Sequence, residues 1–185
     1  EKGIKMTEKV VWGIHAGRFN EADRIFLEEK KIALGWAAMG DLHLLEANRE
    51  SFKQKAKEAY PTAKPGAWPN FAGQLFRYLY EMKIGDIVLY PSRLDKKINI
   101  GEVVGEYEYH ESSLDGYPHQ RSVKWLKSID RLKFSQSALY ETGSAMSFFQ
   151  VKNSADEFLS FLGHAKIEPV EPTTEGGPTA DEMEQ

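Results

Sequence analysis

Short apolar runs and longer polar segments alternate through the first third of the chain. Residues 10–14 and 32–36 are apolar runs rich in branched and aromatic side chains, and small-residue turns follow both, which is typical of β-strands. Between these runs, Asn20 is placed to cap a helix that extends through Glu29. Residues 48–60 are rich in lysine, glutamate, alanine and glutamine, and they predict a solvent-exposed helix.

A change of pattern follows the prolines and glycine of residues 61–66. Apolar residues recur at helical spacing through residues 71–82, so this segment is predicted to be a helix with one buried face, and Asn70 is placed to cap it. Gly101 and Gly105 are predicted to bend a long strand of the kind that curls a sheet into a barrel. The other predicted elements are strands at 87–90, 98–109 and 120–128, short helices at 135–140 and 154–162, and core residues Phe148, Phe149, Phe158 and Phe161.

These elements predict an α+β fold in which helices flank a small curved β-barrel. A length of 185 residues favours a single domain, which we place at residues 10–163. Residues 1–9 are interpreted as an N-terminal extension and a candidate tag remnant. In residues 164–185, proline, glycine, threonine and glutamate replace the apolar residues, so this segment is predicted to be an acidic disordered tail or linker.

Charge and composition restrict the compartment and the partners. The chain has no cysteine, no candidate membrane segment and no signal peptide, so we expect a cytoplasmic protein. The formal net charge is −4, but six of the 28 acidic residues and one of the 24 basic residues follow Gly163. The preceding part therefore carries a net charge of +1, which is compatible with modest nucleic-acid binding through a local basic patch.

No catalytic motif is recognisable in the sequence. Phosphate-binding loops, dinucleotide fingerprints, zinc-protease motifs and nucleophile elbows are all absent, and no proline is followed by aspartate as in many restriction nucleases. We therefore expect a binding domain without enzymatic activity, cofactor or metal. The five histidines show no metal-ligand spacing: His15, His43, His110, His119 and His164.

Two of the four tryptophans are candidates for ligand binding. Trp12 and Trp125 lie inside predicted strands and are interpreted as core residues, whereas Trp36 and Trp68 lie where a regular element meets a loop. A tryptophan at such a position can present its face to a base. Asp41 and Asn70 are nearby polar groups able to hydrogen-bond a base edge, and the alternatives are that Asp41 forms a turn and Asn70 caps a helix.

Basic residues near predicted loops are candidates for contacts with a phosphate backbone. A basic hairpin tip lies at residues 93–97, and the glycines at 17 and 35 would place two strand ends at one rim. The alternative is that the basic residues of the hairpin tip contact only solvent and bind no phosphate. The candidate backbone-binding residues are Arg18, Lys64, Arg93, Lys96, Lys97 and Arg121.

Many short matches in order carry a resemblance to a known family. They are HAGR at 15–18, IALGW at 32–36, GDL at 40–42, YPTAKPG at 60–66, AGQL at 72–75, MKIGD at 82–86, IGEVxGxYxY at 100–109, GYPH at 116–119 and VKWL at 123–126. With these residues, the chain resembles the N-terminal domain of Mrr-type modification-dependent restriction proteins, which belongs to the PUA, EVE and YTH group of readers.

The resemblance implies a nucleic-acid reader of a restriction and phage-defence system. The ligand would be a modified cytosine flipped from duplex DNA into an aromatic pocket, and a C-terminal nuclease domain would follow in the parent protein. A modified-RNA reader and a nucleotide-ligand sensor of the same fold are the alternatives. The implied base pocket consists of Trp36, Asp41, Trp68, Asn70 and Tyr90.

Overall fold

The computed structural model describes residues 9–111, 113 and 115–163, which divide into two compact units. Unit 1 contains residues 9–15, 85–103 and 124–163, and unit 2 contains residues 16–84 and 104–123. The predicted tail at 164–185, and residues 1–8 of the predicted extension, lie outside the described residues. The domain boundaries at 10 and 163 stay a prediction.

Unit 1 is built on a mixed sheet. Strand β1 (Val11–Ile14) lies between β3 (Ile87–Pro91), to which it is parallel, and β7 (Phe148–Val151), to which it is antiparallel. Strand β4 (Lys97–Val103) pairs with β3 in antiparallel register, with Leu89 opposite Ile100. Every residue of β1 is buried, as expected for a strand with neighbours on both sides.

Helices α4 (Gln136–Thr142) and α5 (Ala155–Ser160) complete unit 1. Ser135 caps α4, because its hydroxyl oxygen accepts from the Ala138 N–H at 3.2 Å. The same hydroxyl donates to Glu157 Oε1 at 2.6 Å, which ties the start of α4 to α5. The main core cluster consists of Val11, Ile87, Leu89, Ile98, Ile100, Phe134, Ala138, Leu139, Phe149, Val151, Phe158 and Leu159.

Unit 2 combines a short antiparallel sheet with three helices. Strand β6 (His119–Asp130) begins in this unit, where it pairs with β2 (Lys31–Leu34) and with β5 (Glu108–Tyr109). The helices are α1 (Asp23–Leu27), α2 (Arg49–Ala59) and α3 (Ala67–Phe76), and a π-helical turn, Arg77–Glu81, continues α3. From Lys124 onward, β6 belongs to unit 1. The α+β class predicted from the sequence is confirmed.

Arg121 on β6 lies in the interior of unit 2 and is only 2% exposed. Its Nη1 donates to the carbonyls of Tyr78 at 3.0 Å and Met82 at 2.8 Å, and its Nε donates to the Gly105 carbonyl at 3.0 Å. The guanidinium thus donates to two carbonyls at the end of the α3 segment and to one that follows β4. The prediction that Arg121 contacts a phosphate backbone is wrong, because this buried side chain cannot reach one.

Several predicted boundaries differ from the structure. Helix α1 begins at Asp23, and Asn20 does not cap it but adopts a left-handed backbone with φ of 61°. Helix α3 begins at Ala67, so Asn70 lies inside the helix. The long predicted strand at 98–109 ends at Val103. Gly101 lies within β4, and its lack of a side chain leaves room for the Trp125 ring, which an added Cβ would meet at 2.7 Å.

Candidate functional site

Trp36 has a backbone conformation that a bulky residue adopts only under constraint. It follows β2 with φ of 53° and ψ of 48°, in the left-handed region, which costs roughly 1–2 kcal/mol for a residue with a side chain. Its carbonyl accepts from the Met39 N–H at 3.0 Å, which starts the 3₁₀ turn Ala37–Met39. The indole ring is partly exposed, so the conformation directs an aromatic side chain to the surface at a strand end.

A buried hydrogen-bond relay holds Trp36 in place. His119 Nε2 lies 3.1 Å from the Trp36 carbonyl, and His119 Nδ1 lies 2.7 Å from the Tyr107 hydroxyl. A carbonyl can only accept, so Nε2 carries the proton, and the neutral ring then accepts from Tyr107 at Nδ1. The Tyr107 oxygen in turn accepts from the Leu42 N–H at 3.1 Å, so the relay fixes both ends of the segment 36–42.

Burial keeps this relay neutral. Loss of solvent lowers the pKa of His119 to about 4, against a smaller opposing effect of its hydrogen bond with Trp36. Burial likewise raises the pKa of Tyr107 well above its ordinary value. At neutral pH both groups are therefore uncharged, in the state that the hydrogen-bond directions require.

Four aromatic side chains, Trp36, Tyr60, Trp68 and Phe71, form what we call the aromatic cluster. The Phe71 ring lies 5.3 Å from that of Trp36 and 5.7 Å from that of Tyr60, both within the range of favourable ring contacts. The Tyr60 hydroxyl accepts from the Ala38 N–H at 3.2 Å, and Trp68 Nε1 donates to the Tyr60 carbonyl at 2.8 Å. All four residues are partly exposed. The ring contacts join Trp36, Phe71 and Tyr60, and the hydrogen bond to the Tyr60 carbonyl joins Trp68 to them.

The two predicted polar residues occupy different positions beside this cluster. Asp41 caps the 3₁₀ turn Leu42–Leu44, where its carboxylate accepts from the His43 N–H at 3.0 Å. Its turn-forming role is therefore confirmed, although a third of the side chain is exposed. Asn70 is exposed on α3, and its carbonyl oxygen accepts from Gln74 Nε2 at 2.7 Å. The alternative that Asn70 caps a helix is wrong.

Gly17 and Gly35, which were predicted to lie at one rim, both adjoin the side chain of Tyr117. A Cβ at Gly17, where φ is 92°, would fall 2.3 Å from the Tyr117 hydroxyl, and one at Gly35 would fall 3.6 Å from the ring. The Tyr117 hydroxyl donates to Glu21 Oε2 at 2.6 Å. These glycines therefore accommodate a side chain of the same unit, and nothing about them requires a ligand.

The other predicted site residues are distributed over both units. Tyr90 lies on β3 of unit 1 and is fully buried, with its ring 6.3 Å from that of Trp125, so it offers no exposed face to a base. Arg93, Lys96 and Lys97 are exposed in unit 1. In unit 2, Arg18 and Lys64 are exposed, and the Arg18 guanidinium lies 5.8 Å from the ring of Phe19.

The sequence interpretation missed Tyr60, Phe71, Tyr107 and His119 as site residues. Tyr60 and Phe71 flank the connector between two predicted helices, and their proximity to the candidate tryptophans was the available signal. His119 and Tyr107 had no such signal, because their roles depend on strand pairing. Within the described ranges, no three histidine or acidic residues are grouped to hold a metal ion. None of the described helices has the length and apolar character that crossing a membrane requires.

Comparison with known proteins gives a family and distant structural likenesses. Residues 12–152 match the family described as Domain of unknown function (DUF8426), and the chain belongs to that family. No curated protein matches the sequence.

Three solved structures are similar to this chain at low sequence identity. The YTH domain of the Zygosaccharomyces rouxii MRB1 protein, in complex with N6-methyladenosine RNA, is 13% identical with a TM-score of 0.42, covering 89% of this chain and 90% of that one. Protein Atu2648 from Agrobacterium tumefaciens is 14% identical with a TM-score of 0.36, and the match covers 88% of this chain and 99% of that one. A hypothetical protein from Leishmania major is 12% identical with a TM-score of 0.41, and the match covers 85% of this chain and 96% of that one.

Proposed function

We propose that this chain is a binding domain that recognises a modified nucleobase at the aromatic cluster. The observation that carries the proposal is Trp36, a partly exposed tryptophan in a left-handed conformation that a buried histidine relay maintains. Unfavourable backbone conformations that the surrounding structure maintains are concentrated at functional sites. Trp68, Tyr60 and Phe71 extend the aromatic surface beside it.

The chemistry of the cluster suits a base. Stacking on an aromatic side chain contributes roughly 1–3 kcal/mol for any base, so the polar neighbours must provide the selectivity. The carboxylate of Asp41 can accept from an exocyclic amino group, and the exposed amide of Asn70 can donate from its nitrogen. We assign Trp36 and Trp68 to stacking and Asp41 and Asn70 to recognition of the base edge. Tyr90 is omitted because it is buried in unit 1.

In its specific form, the proposal is that the ligand is a modified cytosine in duplex DNA. The sequence resemblance to readers of modification-dependent restriction proteins supports this choice, and with it a defence role and a nuclease domain elsewhere in the parent protein. Flipping the base costs a few kcal/mol, which stacking and hydrogen bonds in the pocket must offset. The exposed residues Arg18, Lys64, Arg93, Lys96 and Lys97 are the remaining candidates for phosphate contacts.

The test is a fluorescence-anisotropy titration with matched labelled duplexes that carry cytosine, 5-methylcytosine or 5-hydroxymethylcytosine at one position. Single-stranded DNA, RNA with and without N6-methyladenosine, and free nucleotides are titrated at the same salt concentration. We expect one modified duplex to bind at least tenfold more tightly than the unmodified duplex. Selective binding of a modified RNA would transfer the proposal to RNA, and equal or absent binding to every nucleic acid would refute it.

A further inference from the structure

Helix α2 and the connector that follows it are unusually basic for this chain. Residues 49–64 contain five basic and two acidic residues, whereas the whole chain has a net charge of −4. Lys53 and Lys57 are four residues apart on one exposed face of α2, and Phe52 and Ala56, which precede them, are buried. The helix therefore packs through one face and presents positive charge on another.

One of these charges lies directly against the aromatic cluster. The Lys57 ammonium is 5.7 Å from the centre of the Trp68 ring, close enough for a cation–π contact. The Trp68 indole is fixed by its hydrogen bond to the Tyr60 carbonyl, at the C-terminal end of the same helix. The ammonium thus lies against an indole ring whose own position is fixed by a hydrogen bond.

Several cations of unit 2 are held in ion pairs with acidic residues. Arg24 pairs with Glu29 and Asp115, Lys31 pairs with Glu108, and Arg49 pairs with Glu81 at 2.8 Å. By contrast, Lys57 and Lys64 form no ion pair within the part of the chain that the structure describes. Both are exposed, so their charge is available to a partner in solution.

We propose that Lys57 and Lys64 form a phosphate-binding edge of the aromatic cluster, which contacts the backbone of a polynucleotide next to the bound base. The inference rests on the proposed function, because it takes the ligand of the cluster to be a nucleic acid. It adds which residues contact the phosphates next to the bound base. An ammonium beside a stacking ring is suited to this role, since the phosphates of a nucleotide lie beyond the edge of its base.

The test measures how the affinity of the full chain depends on salt. Short labelled duplexes with and without 5-methylcytosine are titrated over a series of KCl concentrations with the wild type and with the double variant Lys57→Gln/Lys64→Gln. Each phosphate contact contributes about 0.9 to the slope of log affinity against log salt for duplex DNA, so losing both contacts should reduce the slope by about 2. The variant Lys57→Arg/Lys64→Arg should retain the wild-type slope, because it retains both charges.

A matched control separates local contacts from overall charge. Lys133 and Lys152 are exposed in unit 1, and Lys133→Gln/Lys152→Gln changes the net charge by the same amount. An unchanged slope in the Lys57/Lys64 variant, or an equal reduction in the control, would overturn the inference. Thermal unfolding midpoints of all variants should match the wild type.

The two proposals can fail separately. A wild type that binds both duplexes equally, with a slope that decreases only in the Lys57/Lys64 variant, would refute recognition of 5-methylcytosine and support the phosphate-binding edge. A wild type that prefers 5-methylcytosine, with no change of slope in that variant, would support base recognition and refute the phosphate-binding edge. Absence of any nucleic-acid binding would overturn both.

Discussion

Each unit contains two tryptophans, and the two units use them differently. In unit 1, Trp12 is 2% exposed, its ring stacks on Phe148 at 4.8 Å, and its Nε1 donates to Asp86 Oδ2 at 2.9 Å. Trp125 lies on β6 against Gly101, whose lack of a side chain leaves room for the indole. Both side chains pack beside strands, but only Trp12 is buried. Trp125 is partly exposed, so the prediction that it is a core residue is wrong.

In unit 2, the two tryptophans lie at the ends of elements. Trp36 follows β2 in a left-handed conformation, and Trp68 is the second residue of α3. Both are partly exposed, and a hydrogen bond fixes each of them. The Trp36 carbonyl accepts from His119, and the Trp68 indole nitrogen donates to the Tyr60 carbonyl. A tryptophan inside a strand serves packing, whereas one at a junction can be fixed while part of its surface remains exposed.

The largest expected effect is on stability, from a substitution in unit 1. Trp12→Ala removes a buried indole together with its stacking contact and its hydrogen bond, and should lower the free energy of unfolding by about 3–5 kcal/mol. Trp68→Ala should cost well under half as much, because the side chain is already partly exposed. Urea denaturation of both variants measures the difference. Equal losses would remove the distinction between packing and surface tryptophans.

The next effect concerns the relay that maintains Trp36. Because the pKa of His119 is about 4 when folded and about 6.5 when unfolded, the unfolded chain binds more protons between these values. The stability that this histidine contributes is therefore complete above pH 6.5 and decreases as pH falls towards 4. From about pH 8 to about pH 5, we expect a loss of about 2 kcal/mol that is absent from His119→Gln.

The variant is required for this comparison because His15 acts in the same direction. Burial also lowers the pKa of His15, so the wild type should lose stability on acidification for two reasons. Only the difference between wild type and His119→Gln, measured by urea denaturation at both pH values, isolates the relay. An identical loss in both proteins would show that His119 does not remain neutral in the folded state.

A smaller effect is expected on affinity. If stacking carries recognition, Trp36→Ala and Trp68→Ala should each weaken binding of the preferred oligonucleotide at least tenfold, or about 1.4 kcal/mol. Fluorescence anisotropy at fixed salt measures this loss, and Trp125→Phe is the matched aromatic control in unit 1. Unchanged affinity in both alanine variants would exclude these residues from the site.

A second substitution separates the ring of Trp36 from its backbone. Trp36→Gly also lacks the ring, but glycine adopts the left-handed conformation without strain. We expect both variants to bind equally weakly and the glycine variant to be more stable than the alanine variant by about 1 kcal/mol. Weaker binding by the alanine variant alone would assign the effect to loop conformation.

Strands and helices with clear periodicity could be predicted from the sequence, and their ends could not. The runs at 10–14 and 87–90 became β1 and β3, because continuous apolar residues suit strands with neighbours on both sides. Strand β7 was missed, since Phe148 and Phe149 were assigned only to the core. Asn20 and Asn70 were expected to cap helices, but tertiary packing started α1 and α3 elsewhere.

The candidate site was predictable where residue type and local context coincide. Trp36 and Trp68 were selected because they lie at junctions, and the structure places both in the aromatic cluster. Arg121 was taken for a surface cation because sequence does not reveal that β6 carries it beneath the end of α3. The relay through His119 and Tyr107 depends on the register of β6 with β2 and β5, which a single sequence does not specify.

The chain passes between the units four times, at residues 15–16, 84–85, 103–104 and 123–124. Neither unit is therefore encoded by one continuous stretch of the gene. Recombination at a single junction could not transfer the aromatic cluster and its relay to another protein, because residues 16–84 would leave behind Tyr107 and His119. Transfer of unit 2 alone would require both of its segments, residues 16–84 and 104–123, to move while residues 85–103 stay behind.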